Sequence, residues 1–163
     1  MNVRWHLSHA RGYLELGMVA EAAAELSQLG PDEHGTLEFL GLRVAILQEQ
    51  KKWPALRAAA AEFVRRQPDL AGGWITWAYA TRRAESLAAA ERILLEAVQL
   101  HPDEATIHFN LGCYACQRGD LDAARIRVDR AIALDENFRA AAGTDPDLAP
   151  LRATPAADGP PKD

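Results

Sequence analysis

The sequence predicts an all-α fold in which similar helical hairpins follow one another along the chain. Residues that end helices recur at a fixed interval: Pro68 and Pro102 lie 34 residues apart. Gly17 and Gly119 lie 102 residues apart, which is three times the same interval. Small residues recur with this period at two positions of the repeat, Ala10, Ala78 and Gly112 at one and Ala22, Ala90 and Ala124 at the other. Such a period indicates repeated two-helix units.

The first two units are expected at residues 3–36 and 37–70. Gly17 is expected to end the first helix, because glycine readily adopts the left-handed conformation at a helix end. Asp32 is expected to cap the third helix, and Pro54 fits the first turn of the fourth, where a missing N–H costs little. The predicted helices cover residues 3–16, 19–29, from 32 to about 50, and 54–66.

The third and fourth units are expected at residues 71–104 and 105–138. Their predicted helices cover 71–83 and 87–99, the latter capped by Ser86, followed by two helices on either side of Gly119. Beyond the repeats, a capping segment at 138–151 is expected to bury Leu148 and Leu151, because the last unit of a repeat array has no neighbour to cover it. Residues 152–163 contain three prolines and few apolar anchors, which predicts a disordered tail.

The stretch from Asp103 to Asp135 resembles a tetratricopeptide (TPR) repeat. Gly112 lies one turn before Ala115, the second helix opens with Asp-Leu-Asp-Ala-Ala, and it closes with Ala-Ile-Ala-Leu-Asp. The other units are weaker copies, with Val44 and Leu56 where the family prefers smaller residues. The resemblance implies a right-handed α-solenoid of four TPR-like hairpins within one domain, residues 1–151.

The same resemblance implies a concave groove, lined by the first helix of each unit, that holds a peptide segment of a protein partner. Arginines beside aromatic side chains are typical of binding hot spots. We therefore expect a partner with an acidic group near Arg82 and Arg83. The candidate peptide-binding residues are Arg11 in unit one, Ile75, Tyr79, Arg82 and Arg83 in unit three, and Phe109, Asn110, Cys113 and Gln117 in unit four.

The resemblance implies a protein-binding adaptor, either a monomer or a weak homodimer, and the composition favours a cytoplasmic protein. The net charge of −5 and the isoelectric point near 5.5 argue against nucleic acid and anionic membranes as partners. No apolar run approaches the roughly 20 residues of a membrane span, and the first nine residues lack the apolar run of a signal peptide. Two alternatives remain open: a chaperone for a secreted or unassembled substrate protein, and a self-assembling scaffold.

The sequence predicts neither catalysis nor a cofactor or metal. Cys113 and Cys116 have the spacing of a redox pair, but they fall in mid-helix, away from the helix N-terminus that lowers a thiol pKa. His6 and His9 lie three residues apart without an apparent third ligand. His108 occupies the repeat position of Trp74, so packing explains it. No phosphate-binding loop or hydrolase motif is present.

Overall fold

The computed structural model describes residues 2–155, and every regular element in this range is helical. The all-α prediction is therefore confirmed, with both helices of each predicted unit present. Between Pro146 and Leu148 the chain also forms a single 3-10 turn. The helices are α1 (Val3–Glu15), α2 (Val19–Ser27), α3 (Leu37–Glu49), α4 (Trp53–Arg66), α5 (Ala71–Ala84), α6 (Leu87–Leu100), α7 (Ala105–Gln117), α8 (Leu121–Leu134), α9 (Phe138–Thr144) and α10 (Ala149–Ala153).

The chain divides into two compact units, Met1–Ile93 and Leu94–Asp163, with the boundary inside α6. In the first unit α1 packs on α2, α3 on α4, and α4 on α5. In the second unit α7 packs on α8. The small residues of the repeat belong to the core, since Ala10, Ala22, Ala78, Ala90 and Ala124 are all fully buried. A single domain over residues 1–151 and a right-handed solenoid path stay predictions.

Three of the hairpin turns contain a residue in the left-handed conformation. Gly17 has a φ of 73° and Gly119 a φ of 88°, as expected where a helix ends on glycine. Lys51 follows α3 with a φ of 54°, although left-handed backbone is unfavourable for a side chain of this kind. The chain thus repeats the same turn geometry even where the repeat lacks its glycine.

Thr36, rather than Asp32, caps α3. The Thr36 hydroxyl accepts a hydrogen bond from the backbone N–H of Phe39 at 3.3 Å, and residues 31–35 form turns. The prediction of Asp32 was wrong because consecutive turns after Pro31 delay the helix by one further turn. The predicted Ser86 cap is confirmed, since its hydroxyl accepts from the N–H of Ala89 at 3.1 Å.

Two buried side chains one repeat apart make the same hydrogen bond. The indole N–H of Trp74 donates to the carbonyl oxygen of Pro68 at 2.8 Å. The Nε2 of His108 lies 2.7 Å from the carbonyl oxygen of Pro102. A carbonyl can only accept, so Nε2 carries the proton, and Nδ1 can then accept from Arg127 at 3.1 Å. The prediction that His108 has a packing role is consistent with its burial.

The segment comprising residues 138–153, called here the C-terminal segment, folds against the last hairpin. Its 3-10 turn packs on α7, and both α9 and α10 contact α8. Leu148 and Leu151 are buried as expected. Arg152, placed by the sequence in the tail, belongs to α10 and donates to the carbonyl oxygens of Ala142 and Asp145. Residues 156–163 of the predicted tail lie outside the described residues.

No helix in residues 2–155 combines the length and the hydrophobicity needed to cross a bilayer.

Candidate functional site

Two predicted side chains, Tyr79 and Arg83, meet on the exposed side of α5. The guanidinium carbon of Arg83 lies 3.4 Å from the centre of the Tyr79 ring and 5.2 Å from the Trp53 ring. The two rings themselves lie 5.7 Å apart at an interplanar angle of 71°. We name Trp53, Tyr79 and Arg83 the cationic–aromatic cluster. Guanidinium–ring contacts of this kind are favourable.

The helices α4 and α5 position the cluster. Trp53 is the first residue of α4, immediately after the turn at Lys51 and Lys52. Tyr79 and Arg83 are four residues apart on α5 and therefore share one side of that helix. Nearby, Arg57 of α4 and Glu85 form an ion pair of 2.8 Å that joins the start of α4 to the end of α5. Trp53 was not predicted as a site residue, because the fourth helix was expected to begin one residue later, at Pro54.

The charge of Arg83 has no carboxylate partner among the described residues. Besides the two rings, this side chain contacts the carbonyl oxygen of Tyr79 at 3.5 Å. By contrast, Arg65 and Arg66 of the same unit have a carboxylate partner. Arg65 and then Arg66 donate to the carboxylate of Glu62, and these hydrogen bonds lower the pKa of Glu62 below its ordinary value. The cluster thus presents a positive charge on an exposed aromatic surface.

The remaining predicted residues of the first unit lie in other surroundings. Arg11 on α1 is exposed and forms an ion pair with Glu38 of α3, with 2.8 Å between Nη2 and Oε1. Ile75 and Arg82 on α5 are both half-buried. Tyr79 is 39% exposed. Of the four predicted groove residues on α5, Tyr79 and Arg83 are therefore the more accessible pair, and Ile75 and Arg82 are the less accessible pair.

The C-terminal segment contacts three of the four predicted residues on α7, of which Phe109 and Cys113 are buried and Gln117 is exposed. The ring of Phe109 packs against that of Phe138 at 4.9 Å and is 6% exposed. Cys113 is buried, and the side-chain amide of Gln117 donates to the carbonyl oxygen of Asp147 at 2.8 Å. Asn110 is half-buried. In this conformation Phe109 and Cys113 are buried and Gln117 is hydrogen-bonded within the chain, so these side chains are not free to contact a peptide as predicted.

The candidate metal ligands make local contacts. Nδ1 of His6 lies 2.7 Å from Glu25, and Nδ1 of His9 lies 2.8 Å from the carbonyl oxygen of Trp5. Cys113, Asp145 and Asp147 can bring one ligand atom each within 4.8 Å of the others. No further His, Cys, Asp or Glu of residues 2–155 joins this group, which therefore lacks the imidazole or second thiolate typical of a zinc site.

Comparison with solved structures identifies the fold class. The chain superposes on MamA, residue 41 to its end, from Desulfovibrio magneticus RS-1 with a TM-score of 0.72 and 14% identity over 93% of this chain and 89% of that one. A thermophilic TPR protein in Thermus thermophilus gives a TM-score of 0.66 and 20% identity, with 93% and 81% covered. YrrB, a TPR protein with an unusual peptide-binding site, gives a TM-score of 0.68 and 12% identity over 90% of this chain and 80% of that one.

The chain is therefore a helical-repeat protein. Its fold is that of the tetratricopeptide-repeat proteins. No family model matches its sequence, and no curated protein matches it.

Proposed function

We propose that this protein is a non-catalytic adaptor that binds a peptide segment of another protein on the exposed side of α5. The observation that carries the proposal is the cationic–aromatic cluster. Trp, Tyr and Arg are the residue types most enriched at binding hot spots, and Arg83 has no carboxylate partner in the described part of the chain. A segment with an acidic group can pair with Arg83 while it packs against Tyr79 and Trp53.

The contacts of the C-terminal segment favour the first unit as the proposed contact surface. Of the predicted residues, Tyr79, Arg83 and the ion-paired Arg11 are exposed in the first unit. In the second unit Phe109 and Cys113 are buried, and Gln117 is exposed but hydrogen-bonded to the same chain. Similarity to YrrB is consistent with peptide binding, since that protein is a TPR protein with a peptide-binding site. The partner's acidic group is the feature that the test must address.

Affinity capture from source-cell extract tests the proposal, with the wild type and a Tyr79→Ala, Arg83→Glu variant as baits. We expect at least one protein to be retained by the wild type and lost by the variant. Its dissociation constant, measured with the purified partner, should rise about 30-fold or more, as for hot-spot residues. The matched control is Arg92→Glu with Leu95→Ala, which reverses one exposed charge and truncates one exposed apolar side chain on α6.

The control variant should retain the partner, and far-ultraviolet circular dichroism should show that all three baits are folded. Equal capture by the wild type and the Tyr79→Ala, Arg83→Glu variant would contradict the proposal, as would the absence of any retained protein.

A further inference from the structure

An apolar cavity opens between α3, α4 and the start of α5. Its volume is about 420 Å³, and its lining exposes far more apolar than polar surface. Phe63 of α4 lines it, together with Leu70 and Thr76. Gly41 of α3 and Gly72 and Gly73 of α5 contribute no side chains to the lining. The cavity is therefore open to an added apolar side chain.

Two of the three glycines are not required by packing. A Cβ atom added at Gly72 would meet nothing within 4 Å, and one at Gly41 would lie 3.7 Å from Phe63, an ordinary contact. Neither glycine has a positive φ. By contrast, a Cβ at Gly73 would lie 3.0 Å from Phe63 and 3.2 Å from Val64, so α5 needs this glycine to approach α4. Glycine inside a helix costs stability relative to alanine, and at positions 41 and 72 what it provides is open space.

The cavity and the cationic–aromatic cluster lie along one side of α5. Gly72, Thr76, Tyr79 and Arg83 are spaced by four, three and four residues, which places them in one stripe of an α-helix. The Cα atoms of Thr76, at the cavity, and of Arg83 are seven residues apart, which is about 10 Å along the helix axis at a rise of 1.5 Å per residue. In an extended chain, about three residues span that distance.

We propose that the first unit recognises an extended peptide that carries a leucine-like side chain and an acidic side chain three residues apart. The apolar side chain enters the cavity, and the carboxylate pairs with Arg83. Charge complementarity selects this occupant, because Arg83 lacks a carboxylate within the described residues and the cavity beside it has a mainly apolar lining. The inference rests on the proposed function and specifies the partner segment.

Titration of 15N-labelled full-length protein with blocked peptides tests the inference. The probes contain Leu-x-x-Glu or Glu-x-x-Leu in a Gly/Ser background, and matched peptides replace Leu by Ala, replace Glu by Gln, or separate the two by six residues. We expect one of the first two to shift the amide signals of Gly41, Gly72 and Gly73. Each altered peptide should bind at least tenfold more weakly, because it loses either the buried apolar group or the charge pair.

Protein variants then assign each half of the peptide to its subsite. The Gly72→Leu substitution places a side chain at the opening of the cavity. It should weaken binding of the Leu peptide at least tenfold and leave the already weak binding of the Ala peptide unchanged. The Arg83→Gln substitution should weaken binding of the peptide that contains Glu at least tenfold and leave binding of the peptide that contains Gln unchanged. Such coupling in a double-mutant cycle indicates direct contact. Gly12→Leu is the matched control, since a Cβ there also meets nothing within 4 Å.

Loss of folding does not confuse the result, because Gly72→Leu should melt at or above the wild-type temperature. The inference is overturned if neither Leu/Glu peptide shifts the amide signals of the three glycines. It is also overturned if the Gly72→Leu variant binds both Leu/Glu peptides as tightly as the wild type does. If the Tyr79→Ala, Arg83→Glu variant loses the captured partner but the Gly72→Leu variant retains it, the inference about the cavity fails while the proposed function stands.

Discussion

Replacing Trp74 with alanine is expected to lower the free energy of unfolding by about 3–5 kcal/mol. The side chain is 4% exposed, so its removal leaves a cavity and also takes away the hydrogen bond to the carbonyl oxygen of Pro68. That loss is a large share of the roughly 5–15 kcal/mol by which a typical domain is stable. Chemical denaturation followed by far-ultraviolet circular dichroism measures it.

Two further substitutions separate packing from hydrogen bonding. Trp74→Phe keeps an aromatic ring and removes the N–H donor, so it should cost less than alanine, with about 1–3 kcal/mol due to the unpaired carbonyl. Trp5→Ala removes a 47% exposed indole and should change the free energy of unfolding by about 0.5 kcal/mol or less. A Trp74→Ala loss no larger than that of Trp5→Ala would show that Trp74 is not part of the core.

Gly112→Leu is expected to destabilise the last hairpin by about 1–3 kcal/mol through overpacking. A Cβ atom at this position would lie 2.8 Å from Cγ2 of Val128 and 3.3 Å from the backbone oxygen of Ala124. The backbones of α7 and α8 must therefore move apart to admit a side chain. Urea unfolding of the purified variant, monitored by far-ultraviolet circular dichroism, measures the change.

The control for Gly112 is Gly12→Leu. A Cβ there meets nothing within 4 Å, so this variant should be at least as stable as the wild type. Equal stability of the two leucine variants would mean that α7 and α8 do not approach each other as closely as described.

The repeated elements were predictable from the sequence because each repeat obeys the same local rules. Prolines and glycines end helices through backbone geometry alone, so Pro68, Pro102 and Gly119 marked the helix ends. The need for close helix contact is visible in Gly112 and Ala124, which the structure places together. The cap at Thr36 was missed because several polar residues precede α3, and the turns that select among them depend on tertiary packing.

The candidate site was predictable in part. Helix periodicity placed Tyr79 and Arg83 on one side of α5, and the structure brings them into contact. Helix periodicity did not indicate Trp53, because this residue belongs to a different helix. Nor could it indicate that Phe109 packs on Phe138, because the path of a non-repeating segment depends on long-range contacts that no periodicity records. The cavity at Gly41 and Gly72 arises in the same way, from three helices meeting where two side chains are absent.

The burial of Cys113 beside Asp145 and Asp147 has a practical consequence for the C-terminal segment. An alkylating reagent reaches a buried thiol only when the structure over it opens transiently. In a Cys116→Ser variant, which leaves one thiol, the labelling rate of Cys113 relative to that of an unhindered thiol therefore reports how often the structure over it opens. Cys113 is thus a probe of whether the α7 surface becomes accessible to another molecule.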